Sequence, residues 1–272
     1  MKIFCILGDE RVFRSKAPAI YTTILKKVGI RGAYVPLKVD PGQIAPALHS
    51  LRVLNIDGAN IAVPYKEVVI PHLDILSEGA NIVGAINTIV RSGDTLKGYN
   101  TNAIGFMDAL EEVGFEVPDK TALVFGNGGV AKAVVFILNW LRAKSVMIVG
   151  RNEETSRTIV QRIGGESRTF QSLNGRPISA DIVINATSVS SRDESPELAA
   201  VVKKLDIRNC ELAVDLNYGR RDNFWQDMAN DRKIRFLDGL STLAHQSRRC
   251  FSLWTRIDVE PSEFKKALEA EL

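Results

Sequence analysis

The 272-residue chain contains only three cysteines and three histidines, and neither residue type is clustered. The cysteines are odd in number and form no CxxC pair, so the sequence predicts neither a disulfide framework nor a zinc site. The histidines lack the spacing of metal ligands; they are His49, His72 and His245. We therefore expect no bound metal ion, and we interpret Cys5, which lies in an apolar run, as a small core residue.

Long apolar runs and dense patches of one charge are also missing. No apolar run reaches the roughly 18–20 residues that a membrane-spanning helix needs. The start, MKIFCILGDE, is apolar but short and lacks a cleavage site, so it is typical of a first strand rather than a signal peptide. The net charge is +3, and the densest basic cluster is the pair Arg248-Arg249, which argues against a nucleic-acid surface. We expect a cytoplasmic protein, monomeric or homodimeric, that binds a small molecule and neither membrane nor nucleic acid.

The chain does have the composition of a globular protein and a regular alternation of strands and helices. Hydrophobic residues make up 45% and charged residues 25% of the sequence. In the first part, apolar runs and turn residues predict a series of elements. The strands are Lys2–Leu7, Ala33–Leu37, Gly58–Val63 and a hairpin of Ile86–Arg91 with Thr95–Tyr99; the helices are Ala17–Val28, Gln43–Leu51, Lys66–Leu73, Ser77–Ile82 and Ile104–Val113.

The second part repeats the strand–helix order around a glycine-rich loop. The predicted strands are Thr121–Phe125, Ser145–Val149, Asp181–Asn185, Glu211–Leu216 and Ile234–Leu237; the predicted helices are Val130–Leu141 and Glu153–Ile163, with loops after the third and fourth strands. Such alternation favours parallel, right-handed βαβ units. We predict an α/β fold with a first α/β domain at 1–103, a Rossmann domain at 104–238, and helices at 239–272 that pack back on the first domain.

The glycine-rich loop has the pattern of a dinucleotide site. Gly126-Asn127-Gly128-Gly129-Val130-Ala131 is GxGxxA, and it stands between a predicted strand and a predicted helix. In such loops the first glycine allows a tight turn, the second lets the backbone approach a pyrophosphate, and the small third residue lets helix and strand pack closely. The free N–H groups of the helix start favour the phosphate charge.

The end of the next strand indicates which dinucleotide is bound. NAD enzymes usually place a carboxylate there to hold the ribose 2′-OH. This chain has Gly150-Arg151-Asn152, and a guanidinium suits a 2′-phosphate, so we predict NADP. Arg157, one helical turn further on, fits a second contact and fits a solvated helix residue equally well.

Polar residues also follow the predicted strands of the first domain. Ser15 lies in the loop after the first strand, Lys66 follows an apolar strand, Asn87 opens the hairpin, and Asn102 comes where the hairpin leads into a helix. Ligands of parallel sheets bind beyond the carboxyl ends of strands. A lysine there can exchange the proton of an alcohol while a nicotinamide takes the hydride.

These polar segments resemble the motifs of the shikimate dehydrogenase family over nearly the whole chain. Phe13-Arg14-Ser15-Lys16-Ala17-Pro18 resembles H-S-x-S-P, and Gly58–Lys66 resembles G-x-N-V-T-x-P-x-K. Further segments are similar to G-A-V-N-T, G-x-N-T-D-x-x-G, N-A-T-S and D-G-L with a following glutamine; they are Gly84–Thr88, Gly98–Gly105, Asn185–Ser188, and Asp238–Leu240 with Gln246.

The resemblance implies a role for each matching position. Lys66 is expected to be the catalytic lysine, with Asn102 in the position of its carboxylate partner. The implied substrate contacts are Ser15 for a carboxylate, Asn87 for hydroxyls, and Tyr218 and Gln246. The implied NADP-binding residues are Gly126, Asn127, Gly128, Gly129, Val130, Ala131, Arg151, Asn185, Ala186, Thr187 and Gly239.

The sequence departs from the family pattern at the expected substrate site. Ala17 replaces a serine, Ala62 replaces a threonine, and Asn102 replaces the aspartate of N-T-D; Arg14 replaces a histidine. A neutral amide cannot stabilise the ammonium form of Lys66, so a desolvated Lys66 should lose its proton more readily. Each lost hydroxyl donor can cost about 1–3 kcal/mol where a polar substrate group is buried.

Three functional hypotheses follow. The first is an NADP-dependent dehydrogenase acting on shikimate or a related cyclic hydroxy-carboxylate, with Lys66 as acid and base. The second is a catalytically weak relative that binds NADP(H) or a metabolite in a regulatory role. It is favoured by the departures from the family pattern at Ala17, Ala62 and Asn102. The third, a purely structural protein, would leave the glycine loop without a use.

Overall fold

The computed structural model describes residues 1–173 and 177–271, and the chain divides into two compact units. Unit 1 consists of Met1–Gly105 together with Leu243–Leu272, and unit 2 is Phe106–Thr242. The domain boundaries predicted from the sequence lie at residues 103 and 238.

Unit 1 is built on a mixed six-stranded sheet. Its elements are β1 (Lys2–Gly8), α1 (Ala17–Lys27), β2 (Gly32–Lys38), α2 (Ile44–Val53), β3 (Gly58–Ile61), β4 (Ile75–Leu76), α3 (Glu78–Val83), β5 (Thr88–Ser92), β6 (Thr95–Tyr99) and the start of α4 (Thr101–Glu112), whose residues from Phe106 on belong to unit 2. The strand order is β2-β1-β3-β5-β6-β4. β1 is parallel to both of its neighbours, and β5 is antiparallel to β3 and β6, as the predicted hairpin requires.

Unit 2 is a fully parallel sheet with helices. Its elements are β7 (Thr121–Phe125), α5 (Gly129–Trp140), β8 (Ser145–Val149), α6 (Glu153–Ile163), β9 (Glu166–Arg168), β10 (Ile178–Ser179), β11 (Ile182–Asn185), α7 (Pro196–Lys204), β12 (Ile207–Arg208), β13 (Leu212–Asp215), α8 (Phe224–Asp231) and β14 (Arg235–Leu237). The main sheet has the order β14-β13-β11-β7-β8-β9, and β10 pairs separately with β12. Numbered from β7, this is the 3-2-1-4-5-6 order of the Rossmann fold, whose ligand crevice opens where the order reverses, between β7 and β11.

Unit 1 is completed by α10 (Pro261–Glu269) and by the part of α9 (Gly239–Thr255) from Leu243 on. Trp254 of α9 stacks on Phe4 of β1 with ring centroids 4.7 Å apart, and its Nε1 donates to the carbonyl of Ile89 at 2.9 Å. Residues alternate across a strand, so Phe4 faces these helices while Cys5 and its neighbour Leu7 pack into the core on the opposite face. The expectation that the C-terminal helices return to the first domain, and that Cys5 is a core residue, is confirmed.

Three predicted segments need correction. The segment 66–73 is not a helix but a series of turns that ends in a 3-10 turn at Ile70–His72, because Pro71 cannot donate to a helical ladder. The loops predicted after β11 and β13 run into α7 and α8. Both helices carry start signals that the hydrophobic pattern alone missed: Ser195 caps the N–H of Leu198, and Asn223 caps α8.

Gly58 gives a test of the packing of α9 on unit 1. A Cβ added at Gly58 would lie 2.2 Å from Nε1 of Trp254 and 2.9 Å from the carbonyl oxygen of Ile89. Gly58→Ala should therefore lower the free energy of unfolding by about 1–3 kcal/mol, measured by urea denaturation. Gly128→Ala, where an added Cβ meets no atom within 4 Å, is the control. Equal stability of both variants would contradict the close approach of Trp254.

Candidate active site

A cluster of polar side chains in unit 1 is organised by the amide of Asn87, which immediately precedes β5. Its Oδ1 accepts the backbone N–H of Thr101 at 2.8 Å, and its Nδ2 lies 2.9 Å from each of Thr101 Oγ1, Asn102 Oδ1 and Gln246 Oε1. Asn87 is buried, whereas Asn102 and Gln246 are half-buried. The structure thus brings together three of the predicted site residues, Asn87, Asn102 and Gln246.

A buried layer beneath Asn87 holds it in place. Asn60 of β3 donates to the carbonyl of Asn87 at 3.1 Å and accepts the hydroxyl of Tyr34 at 2.7 Å. The hydroxyls of Thr88 and Thr101 lie 3.2 Å apart, and Cys250 Sγ accepts from Thr88 at 3.5 Å. Burial raises the pKa of Cys250 to about 12, so this thiol stays neutral and serves as a packing group.

Asn102 is positioned by the start of α4. Asn100 Oδ1 accepts the backbone N–H groups of Asn102 and Ala103 at 3.1 and 3.3 Å, and Asn100 Nδ2 donates to the carbonyl of Ala85 at 2.9 Å. This side chain caps the orphan donors of the first helical turn. The helix start is therefore anchored to the segment that carries Asn87.

Gln246 reaches Asn87 because α4 and α9 approach closely at Gly105. A Cβ on Gly105 would lie 2.6 Å from both the backbone nitrogen and the Cβ of Gln246. Sequence reasoning named Gly105 only as part of a motif. Thr101 was likewise named only as part of that motif, and its role in fixing Asn87 was not predicted, because a backbone hydrogen bond cannot be recognised from the residue type.

Lys66 lies in the turn after β3. Its carbonyl accepts the N–H of Ile86 at 2.8 Å, which places its backbone beside the residue that precedes Asn87. Within residues 1–173 and 177–271 its side chain forms no hydrogen bond or ion pair. Burial lowers its pKa to about 8, and no charged group among the described residues offsets this shift, which has the direction predicted for a lysine without a carboxylate partner.

Ser15 stands apart from this network in the hydrogen bonds of the described residues. It follows a 3-10 turn at Glu10–Arg14, is half-buried, and its Oγ accepts the N–H of Ala17 at 3.2 Å. Arg14 is exposed. The Ser15 hydroxyl proton is left to donate to a ligand.

The glycine loop of unit 2 lies between β7 and α5, at the switch point of the Rossmann sheet. Gly126 has φ of +117°, and a Cβ there would lie 2.8 Å from the carbonyl oxygen of Ala186. At Gly128, the residue before α5, an added Cβ would meet no atom within 4 Å. The protein itself requires glycine at 126, whereas only a ligand would require it at 128. Ala131 is fully buried and Val130 half-buried, as close packing of the helix demands.

The predicted 2′-phosphate segment follows β8. Asn127 of the glycine loop donates to the carbonyl of Asn152 at 2.9 Å, and Asn152 caps α6 at the N–H of Thr155. Arg151 is exposed and available to a ligand. Arg157 forms an ion pair with Glu153 at 2.7 Å, which favours its interpretation as a solvated helix residue.

Asp215 joins the loops after β11 and β13. This fully buried carboxylate accepts the hydroxyl of Ser190 at 2.6 Å, the Nδ2 groups of Asn185 and Asn223 at 2.8 Å, and the N–H and Nδ2 of Asn217 at 3.0 Å. Sequence reasoning missed it, although an aspartate at the end of an apolar strand is a signal.

The side chain of Asn185 holds the loop after β11 through hydrogen bonds. Its Oδ1 accepts the N–H and the hydroxyl of Thr187 at 3.0 and 2.7 Å. Its Nδ2 donates to the carboxylate of Asp215 and to the carbonyl of Val189. Asn185 is fully buried, so its side chain positions Thr187 and has no free group for a cofactor.

Two further predicted residues, Tyr218 and Gly239, also lie in unit 2. Tyr218 follows β13, is half-buried, and burial raises the pKa of its phenol. Gly239 begins α9, and its N–H donates to the carbonyl of Asn217 at 2.9 Å. A Cβ there would lie 2.4 Å from the carbonyl oxygen of Leu216, so the loop after β13 packs directly on the helix start.

Comparison with known proteins decides the family. A family model for the shikimate dehydrogenase substrate binding domain matches residues 6–89, and one for shikimate / quinate 5-dehydrogenase matches residues 109–232. The shikimate dehydrogenase (NADP(+)) of Caldanaerobacter subterraneus subsp. tengcongensis is 32% identical, covering 93% of this chain and 91% of the relative. The chain belongs to the shikimate dehydrogenase family. This confirms the family indicated by the sequence motifs.

Other members agree in sequence and in fold. The shikimate dehydrogenase (NADP(+)) of Pyrococcus furiosus is 32% identical and covers 93% of this chain and 90% of its own. The crystal structure of shikimate 5-dehydrogenase from Thermus thermophilus in complex with NADP(H) and shikimate has a TM-score of 0.88 at 29% identity and covers 100% of both chains. The predicted α/β fold, the assignment to an enzyme family and the expectation of NADP agree with these relatives.

The described residues contain neither a membrane-spanning helix nor a cluster of metal ligands. Among the described residues, no helix combines the length and apolar character needed to cross a bilayer. In the same ranges, no three His, Cys, Asp or Glu side chains gather into a possible metal site.

The contrast between two glycines of the loop gives a test of its function. Gly128→Ala should leave the free energy of unfolding within about 0.5 kcal/mol of the native value, because the new methyl meets nothing. It should nevertheless weaken NADPH binding about tenfold or more, measured by fluorescence titration, because the methyl occupies the approach of a pyrophosphate. Gly126→Ala, strained by its positive φ and by Ala186, should lose stability as well. Undiminished NADPH binding by Gly128→Ala would contradict a phosphate at this loop.

Proposed function

We propose that this protein is an NADP-dependent dehydrogenase that interconverts 3-dehydroshikimate and shikimate, or a closely related cyclic ketone and alcohol bearing a carboxylate. The observation that carries the proposal is Lys66. It is a half-buried lysine whose pKa burial lowers to about 8, and its backbone adjoins the segment that leads to the Asn87 cluster. The open glycine loop of a Rossmann sheet and the family's NADP-named relatives support the choice of cofactor.

In this proposal Lys66 exchanges the proton of the reacting alcohol. In the oxidative direction the neutral amine takes the hydroxyl proton, while the carbinol carbon loses a hydride; bound NADP supplies the hydride acceptor and, reduced, the donor. In the reverse direction the ammonium returns the proton to the oxygen of the ketone. A pKa of about 8 keeps both forms of Lys66 populated near neutral pH, which is the condition for efficient proton transfer in either direction.

The remaining predicted residues receive binding roles. Ser15 would donate to the substrate carboxylate, and Gln246 and Tyr218 would contact its hydroxyl groups. The two hydrogens of Asn87 Nδ2 are shared among three oxygens of the protein, so Asn87 would orient Asn102 and Gln246, and its contact with substrate hydroxyls is an expectation from the family resemblance alone.

The proposed cofactor site lies in unit 2. The backbone of residues 126–131 would hold the pyrophosphate, Arg151 the 2′-phosphate, and Ala186, Thr187 and Gly239 the path toward the nicotinamide. Asn185 would act by holding Thr187.

A second candidate function is a regulatory NADP(H)- or metabolite-binding protein with weak catalysis. It is favoured by the absence of a carboxylate partner for Lys66, since Asn102 cannot stabilise the ammonium, and by the missing hydroxyls at Ala17 and Ala62. The two candidates differ in turnover and not in cofactor binding.

Turnover of the native protein tests the proposal. Purified protein with NADP and shikimate, or with NADPH and 3-dehydroshikimate, should change the absorbance of NADPH. Lys66→Met should reduce kcat by about 10²-fold or more, because it removes the proton-transfer group while keeping the length of the side chain. NADPH binding by the variant should be unchanged, which controls for folding. Cofactor binding without turnover by the native protein would favour the regulatory candidate.

The pKa of Lys66 predicts a pH dependence with opposite signs in the two directions. Oxidation of the alcohol requires the neutral amine, so its kcat/KM should rise with pH and reach half its plateau near pH 8, the pKa of Lys66 in the free protein. Reduction of the ketone requires the ammonium, so its kcat/KM should fall through the same pH range. Initial rates between pH 6 and 10 measure both limbs. Oxidation that is already on its plateau at pH 6 would rule out Lys66 as the base with this pKa.

Arg151 predicts the preference between the two dinucleotides. Arg151→Ser removes an exposed cation that would pair with the 2′-phosphate, and it should raise the KM for NADP about tenfold or more. The KM for NAD, which lacks this phosphate, should change little. Arg157→Ser is the matched control, because Arg157 is already paired with Glu153. Equal effects on both dinucleotides would show that Arg151 does not read the phosphate.

A further inference from the structure

The orientation of the Asn102 side-chain amide is dictated by its neighbours. The backbone N–H of Thr101 can only donate, and it points at Asn87 Oδ1 over 2.8 Å. The amide of Asn87 must therefore turn its nitrogen toward Asn102, 2.9 Å away. Only an oxygen of Asn102 can face that nitrogen, because two amide nitrogens at this distance would oppose their hydrogens. The Nδ2 of Asn102 is consequently fixed at the opposite end.

That nitrogen is a buried donor without an acceptor. Asn102 Nδ2 is enclosed and has no hydrogen-bond partner among the residues that the structure describes. Buried polar atoms are nearly always satisfied, so each exception calls for an acceptor from outside the protein chain or for a functional explanation. The residue as a whole is half-buried and lies beside Gln246, in the cluster where the proposed function places the substrate.

The polarity of this atom is the consequence of the departure from the N-T-D motif. An aspartate at 102 would accept from Asn87 with one oxygen and offer the other oxygen to the substrate as an acceptor. Asn102 keeps the first contact and inverts the second, because an NH₂ group now stands where the second oxygen would be. The partner that satisfies this position must change from a donor to an acceptor.

We propose that Asn102 Nδ2 donates to an oxygen acceptor of the bound substrate, so that the site prefers a ligand with a carbonyl oxygen there over one with a hydroxyl. A hydroxyl oxygen can also accept, but its own proton then has to find another acceptor. This inference rests on the proposed function. It names the ketone as the more tightly bound member of the substrate pair.

Calorimetric titration without cofactor tests the preference, because neither ligand can react. The dissociation constants of shikimate and 3-dehydroshikimate are measured for the native protein and for Asn102→Asp at pH 7. The ratio of the shikimate constant to the 3-dehydroshikimate constant should exceed one in the native protein and fall about tenfold or more in the variant. Taking the ratio cancels the repulsion that a new carboxylate exerts on the carboxylate of either ligand.

Two further variants complete the design. Asn55→Asp adds the same charge at an exposed position of unit 1 and should leave the ratio unchanged. Asn102→Ala removes the donor without adding charge, and it should weaken the binding of 3-dehydroshikimate more than that of shikimate. It keeps the inference testable if Asn102→Asp does not fold.

The failure of this inference is distinguishable from the failure of the proposed function. If the native protein binds both ligands but the ratio is below one, or stays within twofold in both Asn102 variants, the inference is wrong, whereas the proposed function is judged by the separate turnover assay; a water molecule would then satisfy Nδ2. If the native protein binds neither ligand, the inference is wrong and shikimate and 3-dehydroshikimate are not its substrate pair.

Discussion

The hydrogen bond from the backbone N–H of Thr101 to Asn87 Oδ1 is the constraint on which the polar cluster of unit 1 depends. A backbone donor at the start of a helix has no alternative orientation, so it removes the twofold ambiguity of the Asn87 amide. The orientation of the Asn87 amide in turn fixes the orientations of the Asn102 and Gln246 amides, because both turn their oxygens toward Asn87 Nδ2. Asn87, Asn102 and Gln246 thereby acquire one hydrogen-bonding pattern, and this pattern leaves Asn102 Nδ2 as a donor without a partner among the described residues.

In unit 2 the carboxylate of Asp215 connects several segments through hydrogen bonds, as the amide of Asn87 does in unit 1. Asp215 accepts five hydrogen bonds from four residues: Asn185 at the end of β11, and Ser190, Asn217 and Asn223 on the loops that follow β11 and β13. A carboxylate is an acceptor only, so it can draw donors together from several segments without being matched to each. Its neighbour Asn185 pairs with it in register across the two strands. The loop that carries Thr187 is thus fixed from below by buried groups, and its outer surface is left for a ligand.

The sequence predicts the fold well and the site only in part, for physical reasons. Apolar periodicity and glycine placement indicate β7, α5 and the loop between them, because local sterics require glycine at 126. The helices α7 and α8 escape such a pattern, since their apolar faces are short and their start signals are single capping residues. Asn87, Asn102 and Gln246 can be named from motifs. Their mutual orientation cannot be, because it depends on Thr101 N–H and on the close approach at Gly105, which only the assembled helices create.

The path of the chain has a consequence for how the protein is made. Unit 2 is a contiguous stretch, whereas unit 1 needs Trp254 to stack on Phe4 and Gln246 to reach Asn87. On the ribosome, residues 106–242 are complete before these two side chains have been synthesised. The first hundred residues must therefore wait, with the aromatic surface of β1 and Tyr21 uncovered, until α9 emerges. During that interval the aromatic side chains that Trp254 later covers are the part of unit 1 that is exposed to solvent.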